Sequence, residues 1–134
     1  MKDAGTPRRC SLRSAARVVY RVSRAQAVTE DLARIHDHLV ESYCDLGDGI
    51  AEALDRADGR VQAIEHAMMR LGAVSHQGTL CEDVMPRLRR VTKDKAILYF
   101  ITDDELAEVR VLAVFFSGQD HLRHIVERLG TRRA

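Results

Sequence analysis

At 134 residues, 46% apolar and 31% charged, the chain has the size and composition of one soluble globular domain with a modest core. No apolar run approaches the roughly 18–20 residues needed to cross a bilayer, and the basic start has no apolar stretch behind it, so no secretory signal is expected. Cys10, Cys44 and Cys81 form no CxxC pair, which argues for a reducing cytoplasm and against a disulfide framework or structural zinc. The net charge of +1 conceals a segregation: Met1–Val22 has six bases against one acid, Ser23–His66 ten acids against four bases, and Val84 onward ten bases against seven acids. One face can therefore meet an acidic surface and another cannot.

Residues 1–15 have no periodicity and read as a flexible basic arm, suited to an acidic partner but equally accounted for as a loose terminus. Arg17–Val22 is β-branched and aromatic, which predicts a first strand. Ser23 with Gln26 three residues on forms a capping box for the next helix. Val28, Leu32, Ile35, Leu39, Val40 and Tyr43 then recur at helical spacing, with His36 at the edge of the stripe as a core-edge side chain. Asp45–Gly49 is a turn in which Asp48 can cap a second helix. That helix carries Ile50, Ala53, Leu54, Ala57, Val61, Ile64, Met68 and Leu71 on its beat, with Gly72 as its stop. Gly59 interrupts it at a penalty of about 1 kcal/mol relative to alanine. The two helices make an αα-hairpin, acidic outside and apolar within, and Met68-Met69 is core filling.

Ala73–Asp83 is aperiodic and reads as a loop. It holds His76 and Cys81, but a nucleophilic pair needs an orienting third group and an oxyanion site, which the sequence does not advertise. Met85–Val91 is a second strand with Pro86 at its beginning, Thr92–Lys95 a turn, and Ala96–Ile101 a third strand, apolar on both faces and so central. Thr102–Glu105 turns again into Val109–Phe116, the fourth strand. At Ser117-Gly118 the period changes, and Leu122, Ile125, Val126 and Leu129 mark a last helix, with Ser117 and Asp120 at its head and Gly130 at its stop. The reading is an α+β domain over 16–130 in the order β-α-α-β-β-β-α, a three-stranded antiparallel meander with the first strand at one edge, the hairpin on one face, and a tail at 131–134.

The chemistry-bearing residues gather in two places. Arg87 and Arg89 are expected on one face of the second strand, with Leu88 and Val91 inward and Arg90, Lys93 and Lys95 clustered toward the turn. Arginines at this density neutralise phosphates or fork onto carboxylates, although a solvated strand face paired with the hairpin's acids explains them too. Near the last helix stand Asp120, His121, Arg123 and His124. His121 and His124 have a permissible metal spacing but no third ligand, so a surface pair is the simpler reading. Asp120 is most simply a carboxylate favoured by the helix dipole. No metal or cofactor is expected.

Four stretches resemble the RelE/ParE superfamily of type II toxin–antitoxin toxins: Tyr20-Arg-Val-Ser23 running into Asp31-Leu-Ala-Arg-Ile35; Pro86-Arg-Leu-Arg-Arg90; Ile97-Leu-Tyr-Phe100; and Val111-Leu-Ala-Val-Phe-Phe-Ser-Gly-Gln-Asp-His121. The resemblance covers about residues 17–130. It implies a twisted antiparallel sheet with an N-terminal helical hairpin, and a cognate antitoxin from an adjacent gene as partner. Two activities are implied within the family. A ribosome-dependent mRNA endonuclease needs bases on the sheet and a general acid/base near the last helix. Arg87 and Arg89 fall where its first basic pair sits, but Ala96 stands where an arginine is expected, beside Lys95. The arginine and tyrosine expected around the last helix are missing, with only His121 and His124 there as acid/base candidates. ParE-like toxins instead poison DNA gyrase by binding it. The incomplete array favours this non-enzymatic branch, with Arg87, Arg89, Arg90, Lys93, Asp120 and Arg123 as candidate contacts to target or antitoxin. A degenerate, non-toxic member is the third reading.

Overall fold

The computed structural model describes residues 19–116 and 121–129. The expected basic arm, the tail, the Ser117-Gly118 corner, Asp120 and the Gly130 stop lie outside the described residues. The elements are β1 (Arg21–Arg24), α1 (Gln26–Asp45), α2 (Ile50–Met69), a 3-10 turn (Arg70–Gly72), β2 (Thr79–Leu80), β3 (Leu88–Lys93), β4 (Ala96–Asp103), β5 (Glu108–Phe116) and α3 (His121–Leu129). They form the expected α+β architecture around a single sheet of order β1-β5-β4-β3-β2. The meander β3-β4-β5 is antiparallel. Two features differ from expectation. β1 joins β5 in parallel, so the sheet is mixed. The supposed loop after α2 contributes β2, which pairs antiparallel with β3 through Thr79 and Leu80.

β4 is covered on both faces, which is why it is apolar from Ala96 to Ile101. On one side Leu98, Phe100, Val109, Val111 and Val114 meet Leu32, Ile35, Leu39, Ile64 and Met68 of the hairpin. On the other side Tyr99, Leu112, Ala113 and Phe115 meet Leu88, Ile125 and Leu129. Full burial of a side chain such as Leu98 or Phe100 contributes about 1.5–3 kcal/mol. A bulge lets β5 serve both sides. Tyr99 lies opposite Ala113 but Phe100 lies opposite Val111, which leaves Leu112 as the extra residue. Strict alternation would put Val111 and Val114 on opposite faces; the bulge turns both toward the hairpin.

Several boundaries shift for local reasons. Ser23 does not cap α1, because its backbone is in the ladder opposite Arg110; its Oγ is buried without a hydrogen-bond partner. Ala25 precedes the helix instead, and its N–H donates to the Val111 carbonyl at 2.8 Å. Asp48 does not cap α2: its carboxylate accepts from Arg56 Nη1 at 2.6 Å, while the Gly49 N–H donates to Glu52 Oε1 at 3.3 Å. β3 begins at Leu88 and not Met85. The chain from Cys81 winds through turns, with Val84 N–H on the Cys81 carbonyl and Leu88 N–H on that of Met85, and Arg87 takes a left-handed φ of 66°. Gly72 is a packing glycine more than a helix stop. A Cβ there would lie 2.3 Å from the Tyr20 carbonyl oxygen, and the Tyr20 N–H donates to the Gly72 carbonyl at 2.9 Å.

Candidate functional site

A buried polar constellation joins the first helix, the edge of β5 beyond β1 and the last helix. Asp31 sits in phase with Val28, Leu32 and Ile35, so the apolar stripe of α1 carries its carboxylate inward, where its side chain is 1% exposed. Arg128 grips it with both nitrogens, Nη2 to Oδ1 at 2.8 Å and Nη1 to Oδ2 at 2.9 Å. The Val114 N–H donates to Oδ2 at 3.0 Å and Arg34 Nη1 to Oδ1 at 3.2 Å. Arg128 Nη1 also donates to the Leu112 carbonyl at 3.3 Å. The hydrogen bond it donates to Asp31 raises the Arg128 guanidinium pKa further, against the effect of burial. β1 pairs with β5 only as far as Val111, so carboxylate and guanidinium complete the ladder where the strand partner ends. Phe115, His124 and Glu127 line the same cleft of about 530 Å³. The His124 ring stacks on Phe115 with centroids 5.9 Å apart, and its Nδ1 lies 3.9 Å from Glu127 Oε1.

The basic residues of the β3 region do not share a face. Arg87 lies outside the strand, exposed, and its charge helps hold the Asp104 carboxyl below the usual range. Arg89 stands opposite Phe100, on the hairpin side of the sheet, and its Nη1 donates to the His76 carbonyl at 2.9 Å. Arg90 stands opposite Tyr99 on the other side. Burial pushes the Tyr99 phenol up, while a hydrogen bond and the charge of Arg90 pull it down. The expected grouping of Arg87 with Arg89 is therefore corrected, as is that of Leu88 with Val91: the left-handed Arg87 ends the alternation, and inside the strand the partition is Arg89, Val91 and Lys93 against Leu88, Arg90 and Thr92. Lys93 and Lys95 are at the far end, Lys93 as the last residue of β3 and Lys95 in the turn that follows. Of the last-helix candidates, Arg123 Nε lies 3.8 Å from Glu127 Oε2. His121 opens α3, its side chain outside the described residues, as is all of Asp120.

A further cluster ties the chain's entry to the sheet. Asp104, in the β4–β5 turn, accepts from the Tyr20 hydroxyl at 2.8 Å and meets His76 Nε2 at 2.9 Å, while Ser75 Oγ lies 3.1 Å from His76 Nδ1. The Thr102 hydroxyl donates to the Ser75 carbonyl. The hydrogen bond to Asp104 raises the Tyr20 phenol pKa, and the same bond lowers that of Asp104. Cys81 takes no part. It is buried, its Sγ lies 3.6 Å from the Thr79 carbonyl, and desolvation pushes its thiol pKa up, away from a nucleophilic thiolate.

Neither Asp31 nor Arg128 stood out as a site residue in the sequence, yet the signal was present: each is a charge on or beside the apolar stripe of its helix. Such a charge needs a partner when buried, and the two are each other's.

No protein-family model matches the chain, and no curated protein matches it in sequence. In structure it is similar to a chain of the chromosomal ParDE TA system from P. aeruginosa, with a TM-score of 0.56 and 20% identity over 74% of this chain and 97% of that one. A chain of the toxin-antitoxin complex RelBE2 from Mycobacterium tuberculosis matches with a TM-score of 0.48, at 16% identity over 76% and 95%. The isolated E. coli RelE toxin matches with a TM-score of 0.35, at 12% identity over 81% and 97%. The fold expected from the four quoted stretches, a RelE/ParE-like α+β domain, is the fold the chain has.

Proposed function

We propose that the chain is the toxin of a type II toxin–antitoxin pair, of the ParE-like branch, acting in the cytoplasm by binding and poisoning DNA gyrase and neutralised by a cognate antitoxin. The fold shared with the ParDE neighbour supports the general reading. The preference for binding over catalysis rests on one observation: among the described residues, the basic groups of the β3 region do not gather with His124, the acid/base candidate of the last helix. Arg89 is tied to the His76 carbonyl on the hairpin side of the sheet, Arg90 is on the opposite side, and Arg87 is outside the strand. His124 stacks on Phe115 at β5, two strands away from β3. A strained phosphate needs its positive charge and its proton donor within reach of the same few atoms.

Induced expression with two readouts tests this: supercoiling by purified gyrase, and mRNA cleavage on ribosomes. Growth arrest with supercoiling inhibited and mRNA intact is the expected result, relieved by co-expression of a small adjacent reading frame encoding a DNA-binding antitoxin. Cleavage abolished by Arg87→Ala or His121→Ala, with supercoiling untouched, would transfer the chain to the endonuclease reading. No arrest at all would make it the non-toxic member.

A further inference from the structure

A second cleft, of about 670 Å³, opens between the hairpin and the end of the sheet, lined by His38, Tyr43, Arg56, Arg60, Lys95 and Phe116 among others. Among the described residues its lining contains no carboxylate, although it borders the most acidic segment of the chain. Two of its residues are poor choices for the fold. Gly59 lies in the middle of α2, where alanine makes a better helix; a Cβ there would meet nothing within 4 Å, so packing does not require the glycine. Lys95 is the second residue of the two-residue turn between β3 and β4, at a left-handed φ of 65°, where glycine is favoured. A side chain is missing where the helix would accept one, and present where the backbone would prefer none. Both choices shape this cleft: one keeps it open, the other puts an ammonium group in its lining.

We propose that this cleft binds a nucleotide through its phosphate and base, whether as a free nucleotide or as the end of a single strand. The Arg56 guanidinium lies 3.9 Å from the Tyr43 ring centroid and donates Nη1 to Asp48 at 2.6 Å. Arg60 Nη2 donates to the Asp94 carbonyl at 3.0 Å. Each is thereby fixed in place while retaining further N–H donors, and Lys95 has no partner among the described residues. The His38 and Phe116 rings, with centroids 6.2 Å apart, form another wall. Cations alone suit any compact anion; cations between aromatic walls suit one that carries a ring to stack. The volume is within the range of small-ligand pockets.

Calorimetry on the full chain with AMP, a 5′-phosphorylated tetranucleotide, inorganic phosphate and a tetraglutamate peptide tests the proposal. AMP and the tetranucleotide should bind, with phosphate alone far weaker. Lys95→Gly should lower the nucleotide affinity about tenfold, and Gly59→Leu, which fills the cleft, by at least as much. Lys95→Gly and Gly59→Ala should at the same time raise Tm, separating a binding defect from a folding defect. Tighter binding of the tetranucleotide assigns a strand end; equal binding assigns a free nucleotide. Failure of both to bind, affinities unchanged in Lys95→Gly and Gly59→Leu, or binding of tetraglutamate in their place would overturn it.

Discussion

At the scale of single residues, the Asp31–Arg128 pair has the largest consequence. Removing one partner of a buried, hydrogen-bonded ion pair leaves the other charge uncompensated, which costs about 3–5 kcal/mol. Asp31→Ala is expected near that range by urea unfolding. It also strips the Val114 N–H of its acceptor. Arg128→Ala is expected to cost at least as much, because it leaves the Asp31 carboxylate, 1% exposed, without its main partner, whereas Arg128 is 26% exposed and can turn to solvent. A double-mutant cycle should return a coupling above about 1 kcal/mol, as residues in one network do; additive losses would refute the pairing. The Tyr20–Asp104 bond makes a pH prediction. The folded-state pKa of Asp104 is depressed, so its contribution is present above the unfolded value and is lost as pH falls through the folded one. That of Tyr20 is raised, so its contribution is present below the unfolded value and is lost as pH rises through the folded one. The Tm advantage of the wild type over Tyr20→Phe should therefore form a plateau, shrinking below about pH 3.9 and above about pH 10.

At the scale of elements, β1 depends on a close approach and not on its own length. Four residues pair in parallel with β5, and Gly72 admits the Tyr20 carbonyl beside it. Gly72→Ala drives a methyl into backbone and should cost about 1–3 kcal/mol, with hydrogen exchange accelerated first at Tyr20 and Arg21; unchanged exchange there would contradict it. The elements legible in the sequence were those whose signal is periodic. The hairpin helices, the apolar stretch of β4 and the start of β5 needed only the spacing of Leu32, Ile35, Ile64 and Ile97-Leu-Tyr-Phe100. What escaped was set by neighbours. Ser23 has the chemistry of a cap but is claimed by the ladder to Arg110. β2 is too short to have a period and exists because β3 offers it an edge. A one-residue bulge at Leu112 and a left-handed Arg87 reassign faces in β5 and before β3, which no alternation rule anticipates. The basic candidates were therefore found as residues and misplaced as a group.

At the scale of the whole molecule, one sheet separates two cores: a large one under the hairpin and a smaller one under α3. β4 and β5 belong to both, so their amides are expected to exchange only through global unfolding, while β2, exposed and two residues long, opens locally. Exchange measured by mass spectrometry should thus rank Leu98–Phe100 slowest and Thr79–Leu80 among the fastest. A fast β4 would mean that the two cores come apart separately. The charge pattern follows the same division: the hairpin is acidic on its outer surface, and among the described residues the bases belong mostly to the sheet and α3.

The way Asp31 and Arg128 finish the ladder of β5 bears on solubility. A strand edge with free N–H and C=O groups is a template for a second chain, and proteins protect such edges with charge. Here a carboxylate and a guanidinium occupy the positions that an incoming strand would use, at the Val114 N–H and the Leu112 carbonyl. The Val-Phe-Phe segment beside them is apolar and rich in β-formers, the composition that polymerises when uncovered. Asp31→Ala should therefore promote edge-to-edge assembly. Thioflavin-positive aggregates should grow in under conditions where the wild type stays clear, and a variant that lost stability yet remained clear would show that the edge is guarded by something else.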